Sequence, residues 1–129
     1  MTTRTLATRV ALAALIVTLM AACSSEPETP SASTPPAADA TVIAVSAVDF
    51  SYTLSDTPTA AGTYTFELTN DGSMGHNLVL EGVDGASTAI ISPGETESFT
   101  VTLEAGDYTL YCSVGNHRAQ GMEVSFTLS

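Results

Sequence analysis

An all-β fold, a Greek-key β-sandwich of seven to eight strands, is predicted for residues 41–129. Three observations carry that prediction. Thr63–Thr69 alternates cleanly, with Tyr64, Phe66 and Leu68 sharing one face. Turn residues recur at short, regular intervals, as in Asn70-Asp71-Gly72, Pro93-Gly94 and Ala105-Gly106-Asp107. No stretch of this region keeps a helical period.

The strands follow in order. Thr41–Ala47 and Val48–Leu54 are rich in Val, Ile, Phe, Tyr and Thr, residues that favour a pleated surface. Thr63–Thr69 comes next, and Asn70-Asp71-Gly72 turns the chain. Asn77–Glu81 is a further strand and Thr88–Ile91 a short one. Ser98–Leu103 alternates again, with Phe99, Val101 and Leu103 together. Tyr108–Cys112 follows, and Glu123–Leu128 closes the fold with Val124, Phe126 and Leu128 on one face. The span of about 89 residues makes one domain with one core. It contains no internal repeat.

The chain ahead of this domain divides in two. Residues 1–22 hold Arg4 and Arg9, then an apolar run from Val10 to Ala22. A basic segment followed by a short apolar one is the pattern of an export signal. The run is shorter than the roughly 20 residues that span a bilayer. Ala21-Ala22-Cys23 then resembles a bacterial lipoprotein signal, with Cys23 as the lipidated first residue; Met20 stands where such signals usually carry Leu. The alternative is an ordinary secretory signal cut near Ala22. Residues 24–40 are rich in Pro, Ser, Ala and Thr, with no aromatic or branched aliphatic side chain. Such a segment buries no core and reads as an extended tether, at about 3.1 Å per residue. The expected location is extracytoplasmic, in the periplasm or on the outer face of the cell membrane, with the lipid as the sole membrane contact.

Charge narrows the partners. The whole chain carries three Lys and Arg against fourteen Asp and Glu, a net charge of −11. Past residue 22 only Arg118 is basic, and that part carries −13. Nucleic-acid binding needs clustered cations, and this charge balance argues strongly against it. A protein partner is expected to be basic where it docks, and salt should weaken the encounter. The acids could equally be a solubilising surface.

The chemistry concentrates in Tyr-Cys-Ser-Val-Gly-Asn-His-Arg-Ala-Gln-Gly-Met, residues 111–122. Cys112, His117 and Met122 are spaced by four intervening residues each. Thiolate, imidazole and thioether together form a soft donor set that suits copper. A His2Cys set with a weak axial Met is the pattern of blue-copper sites. The second imidazole must be His76, the one other His in the chain. Taken singly each residue has a bland reading: a buried inert Cys, a solvated loop His, a turn His, a core Met. Cysteine usage fits the metal reading, because Cys23 and Cys112 have separate uses and no disulfide between them is expected. Gly115 and Gly121 give the loop freedom to curl around an ion.

The pattern His76-Asn77, then a strand ending in Tyr111-Cys112-Ser113, then Cys-x4-His-x4-Met, resembles the cupredoxins, the plastocyanin and azurin group of small blue-copper proteins. The likeness covers residues 41–129. It implies one type 1 copper ion held by His76, Cys112, His117 and Met122. It also implies that Asn77 bonds near Ser113 and clamps the two halves of the site. Met74, Gly75, Val114 and Ala119 would form an apolar patch around the exposed edge of His117. Arg118 would steer docking or offset local acids. Relatives usually carry Pro where this loop reads Val114-Gly115-Asn116, so a less rigid loop is expected. The implied function is single-electron transfer between extracytoplasmic redox proteins by a monomer that is not an enzyme. Multi-copper oxidases and nitrite reductases need more than two His. The alternatives are a copper carrier or buffer, a zinc site, and a metal-free structural sandwich.

Overall fold

A computed structural model describes residues 38–129. The leader, Cys23 and the tether up to residue 37 lie outside the described residues. Seven strands form two sheets: β1 Thr41–Val48, β2 Ser51–Leu54, β3 Gly62–Asn70, β4 Val79–Leu80, β5 Thr96–Leu103, β6 Gly106–Tyr111 and β7 Glu123–Leu128. One sheet runs β2-β1-β3-β5 and the other β4-β6-β7. The one helical element among the described residues is a 3-10 turn at Arg118–Gln120. The all-β sandwich expected from the alternation is therefore the observed fold.

Alternation decides which way each strand faces. In β1, Ile43, Val45 and Ala47 point into the core while Thr41, Ala44 and Val48 stay exposed. In β3, Tyr64, Phe66 and Leu68 are buried. The opposite face of β3 carries threonines that pair with those of β5. Thr63 meets Thr102 at 2.9 Å, Thr65 meets Thr100 at 2.8 Å and Thr69 meets Thr96 at 3.0 Å, hydroxyl to hydroxyl. Each pair sits directly across the β3–β5 ladder, where such contacts stabilise a sheet by roughly 0.2–1 kcal/mol.

Phe66 joins the two sheets. Its ring centroid lies 5.5 Å from Phe99 in the first sheet and 6.2 Å from Phe126 in the second. Burying a ring of this size stabilises by roughly 1.5–3 kcal/mol.

The pairing of β1 with β3 is parallel, whereas β1–β2, β3–β5, β4–β6 and β6–β7 are antiparallel. Parallel pairing sends the C-terminal ends of β1 and β3 the same way. The Asp49-Phe50 turn after β1 and the loop after Asn70 therefore emerge side by side. Asp71 N–H donating to Ala47 C=O at 2.9 Å seals them together.

Several boundaries differ from expectation. Val48 ends the first strand, pairing with Ser51, and Asp49-Phe50, joined by a cis peptide, makes the turn between them; the second strand starts at Ser51 and not at Val48. Of the expected Asn77–Glu81 strand, Val79–Leu80 alone is a ladder. Thr88–Ile91 is no strand; only isolated bridges, His76 to Ile91 and Val79 to Ser87, form there. Side chains meet part of the local backbone instead. Thr88 Oγ1 accepts from Leu78 N–H and donates to Ala89 C=O, and Ala89 N–H donates to the Glu97 carboxylate.

Candidate metal centre

Cys112 lies one residue past β6, where the strand hands over to the loop. Its N–H donates to Met122 C=O at 3.1 Å, and Met122 N–H donates to His117 C=O at 3.1 Å. These bonds tie the loop's first, middle and last candidate residues into one backbone unit. His117 N–H donates to Val114 C=O, and Gln120 N–H to His117 C=O, each at 3.0 Å. Gly115 (φ 48°) and Gly121 (φ 102°) take left-handed conformations that other residues resist. Gly121 closes the 3-10 turn by donating its N–H to Arg118 C=O.

His76 comes from the loop after β3. Asn70 shapes that loop from within, buried and fully bonded. Its amide donates to Met74 C=O at 2.8 Å and to Ile91 C=O at 2.9 Å, while its Oδ1 accepts from Gly72 N–H at 3.0 Å. His76 also pairs with Ile91 through both backbone groups.

The side chains converge. Cys112 Sγ lies 3.6 Å from His117 Nδ1 and 3.9 Å from His76 Nδ1. The three ligand atoms fall within 4.8 Å of one another, and all three residues are buried. Bond lengths of about 2.3 Å to sulfur and about 2.0 Å to imidazole put two ligands of one ion roughly 3.5–3.7 Å apart. The observed separations fit. A thiolate with two imidazoles is a donor set that copper favours, so this cluster is able to bind one copper ion. Cys112 is a free thiol.

Met122 is completely buried next to these residues in the backbone. Asn77 and Ser113 exchange two hydrogen bonds across the site, one between side chains and one to backbone, both 2.9 Å long. Tyr52 OH donates to Asn77 C=O. Burial pushes the Tyr52 hydroxyl well above the ordinary phenol range, and the neighbouring Cys112 sulfur pushes it the same way.

The two imidazoles differ in their outer surroundings. His76 is wholly buried, and its Nε2 lies 2.7 Å from Asp49 Oδ1. His117 is 4% exposed, and Phe50 packs against it edge-on at 4.8 Å between centroids. Asp49 and Phe50 were not singled out by the sequence. Their contacts depend on parallel β1–β3 pairing, which local alternation does not reveal. The one available signal was an acid, Asp49, inside the otherwise apolar run Ala47-Val48-Asp49-Phe50.

Arg118 turns out to be engaged. It forms a two-pronged pair with Glu81, at 2.8 and 2.9 Å, and bonds Glu123 at 2.7 Å. Its guanidinium also lies 4.3 Å over the Tyr111 ring. Offsetting local acids is thus the role its contacts support. Of the residues expected to form an apolar patch, Met74 and Ala119 are exposed and Gly75 and Val114 partly so.

A profile for the cupredoxin-like domain matches residues 11–124. No curated protein matches the chain at a significant level. Among solved structures, dithionite-reduced auracyanin from the photosynthetic bacterium Roseiflexus castenholzii is 21% identical with a TM-score of 0.60, the match covering 70% of this chain and 98% of that one. Reduced rusticyanin is 21% identical with a TM-score of 0.59, covering 72% and 81%. Auracyanin A, described as a "blue" copper protein from Chloroflexus aurantiacus, is 17% identical with a TM-score of 0.58, covering 69% and 98%. At such identities the likeness is one of fold. Taken with the profile match, the strand order and the His-Cys-His cluster, it establishes that this chain belongs to the cupredoxin-like domain family.

Proposed function

We propose that this chain is a blue-copper protein that carries single electrons between extracytoplasmic redox partners. The observation that carries the reading is the convergence of His76 Nδ1, His117 Nδ1 and Cys112 Sγ in a buried pocket. Cys112, His76 and His117 would be the strong ligands and Met122 the weak axial one. Bound copper would supply a reversible one-electron couple with no bond making or breaking in a substrate.

The residues favour that use by holding still. His117 is fixed at its N–H by Val114 and at its C=O by Met122 and Gln120. Phe50 packs edge-on against its ring. Asn77 locks the His76 segment to Ser113, next to Cys112. Ligands that cannot relax keep one geometry in both oxidation states, so the electron moves with little rearrangement. Copper storage or delivery is the second reading, and the deep burial of all three ligands disfavours it, because ion exchange needs access. With two His in the whole chain, both in one cluster, further copper centres of an oxidase have no imidazoles to use.

The same proposal assigns residues 1–22 to export, Cys23 to lipidation, and 23–40 to a tether ahead of the copper domain, 41–129. The working form would be a monomer that meets partners with basic docking sites.

The test is to express residues 24–129, add Cu(II) and record the visible spectrum. An intense blue band, absent in Cys112→Ser and bleached on reduction, is the expected result. A colourless protein that binds Cu(I) alone would favour the carrier. Failure to bind either ion would sink both readings.

A further inference from the structure

The carboxylate on His76 is built in from several sides. Asp49 Oδ1 lies 2.7 Å from His76 Nε2. Ser73 N–H donates to both Asp49 oxygens, at 3.2 and 3.1 Å, and Ser73 Oγ donates to Oδ2 at 2.5 Å. Met74 N–H adds a longer bond of 3.4 Å to Oδ1. The Asp49 side chain is 25% exposed while His76 is sealed, so the carboxylate stands between imidazole and solvent. The chain also leaves room for the pair. A Cβ at Gly72 would fall 2.5 Å from Asp49 Oδ1 and 2.9 Å from His76 Nε2, on top of the contact.

These groups fix the state of the ring. A carboxylate held by Ser73 is an acceptor, so the 2.7 Å contact favours the neutral His76 tautomer that carries its hydrogen on Nε2. Nδ1 is then left with its lone pair facing Cys112 and His117. A full negative charge on the far side of the imidazole would make that ring a better donor to a bound copper ion, and it would favour the more highly charged oxidation state. Among the described residues no carboxylate holds the His117 ring, and the edge of Phe50 packs against it.

We propose that Asp49 is a positioning residue for the metal, one that locks the His76 tautomer through Nε2 and lowers the reduction potential of the copper site. The inference rests on the copper reading above for the potential, and on this chain alone for the tautomer.

Two measurements test it. In the copper-loaded protein, Asp49→Asn keeps an acceptor oxygen and removes the charge. Outer partners of metal-bound His typically matter about 10–100-fold in affinity. The variant should keep the blue band while its preference for Cu(II) over Cu(I) falls at least tenfold, a rise of about 59 mV for one electron. Glu67→Gln, which removes one charge from the exposed face of β3, should leave the potential in place. An unchanged potential in Asp49→Asn, or an equal rise in Glu67→Gln, overturns the proposal. Should Asp49→Asn prove too unstable to purify, Ser73→Ala loosens the carboxylate and should raise the potential by a smaller step; no rise there overturns it too. In the metal-free protein at alkaline pH, where the ring is neutral, nitrogen NMR of His76 should show hydrogen on Nε2 alone, and Asp49→Ala should lose that single state. A ring unaffected by Asp49→Ala overturns the tether. A wild-type protein that takes up no copper sinks the copper reading, and the ring measurement still decides whether Asp49 sets the tautomer.

Discussion

Asn77 and Ser113 are joined twice over, Asn77 Nδ2 donating to Ser113 Oγ and Ser113 N–H donating to Asn77 Oδ1. The two residues follow His76 and Cys112 directly in the chain, so the double bond fastens one ligand-bearing segment to the other. Asn77→Ala would leave the Ser113 N–H without its acceptor, a loss of about 1–3 kcal/mol. Copper should also bind about 10–100-fold more weakly. Denaturant melts of the metal-free protein read the first effect, and competition with a copper chelator reads the second. Unchanged copper affinity would make the pair a structural brace alone.

Met122 offers a separate handle. Its thioether is soft, whereas the amide oxygen of Met122→Gln is hard and suits the higher oxidation state. As an axial ligand, the substitution should shift relative affinity about tenfold toward Cu(II), lowering the potential by about 59 mV. Voltammetry checks this. A potential that stays put would identify Met122 as packing, in which case Met122→Ala still costs about 2–5 kcal/mol because the residue is completely buried.

The Arg118–Glu81 pair predicts a pH effect with a definite sign. The hydrogen bonds from Arg118 hold the Glu81 carboxyl below its ordinary 4.5, against a smaller opposing effect of burial. A depressed folded value means that stability is present above pH 4.5 and lost as the pH falls below it. Thermal midpoints of metal-free wild type and Glu81→Gln should differ slightly at pH 7 and converge towards pH 3. Curves that stay parallel would show that the pair adds no pH-linked stability.

Much of this was legible in residue order, and the rest was not for identifiable reasons. The strand around Tyr64, Phe66 and Leu68 could be read because one face is buried and the other is not. The cluster of His76, Cys112 and His117 could be read because the loop spacing left one other imidazole to complete it. Thr88–Ile91 looks extended because of its β-branched residues, yet its backbone meets Leu78 and His76 only at isolated points, and the side chains of Thr88 and Glu97 take the Ala89 groups between them. Arg118 was ambiguous because Glu81, which lies far away in sequence, claims it. Asp49 and Phe50 escaped notice altogether. Their partners are more than twenty residues distant, and the parallel ladder that joins them has no local signature.

That ladder also gives the domain a front and a back. β1 enters at Thr41 and runs eight residues before Asp49 reaches His76. At roughly 3.3 Å per residue, its start lies about 25 Å behind the His76, Cys112 and His117 cluster. Anything coupled ahead of Thr41, whether a bead, an electrode or a bilayer, grips the rear of the molecule. The end that bears His117 is left facing outward, so immobilisation at Thr41 should leave the candidate metal site unshielded.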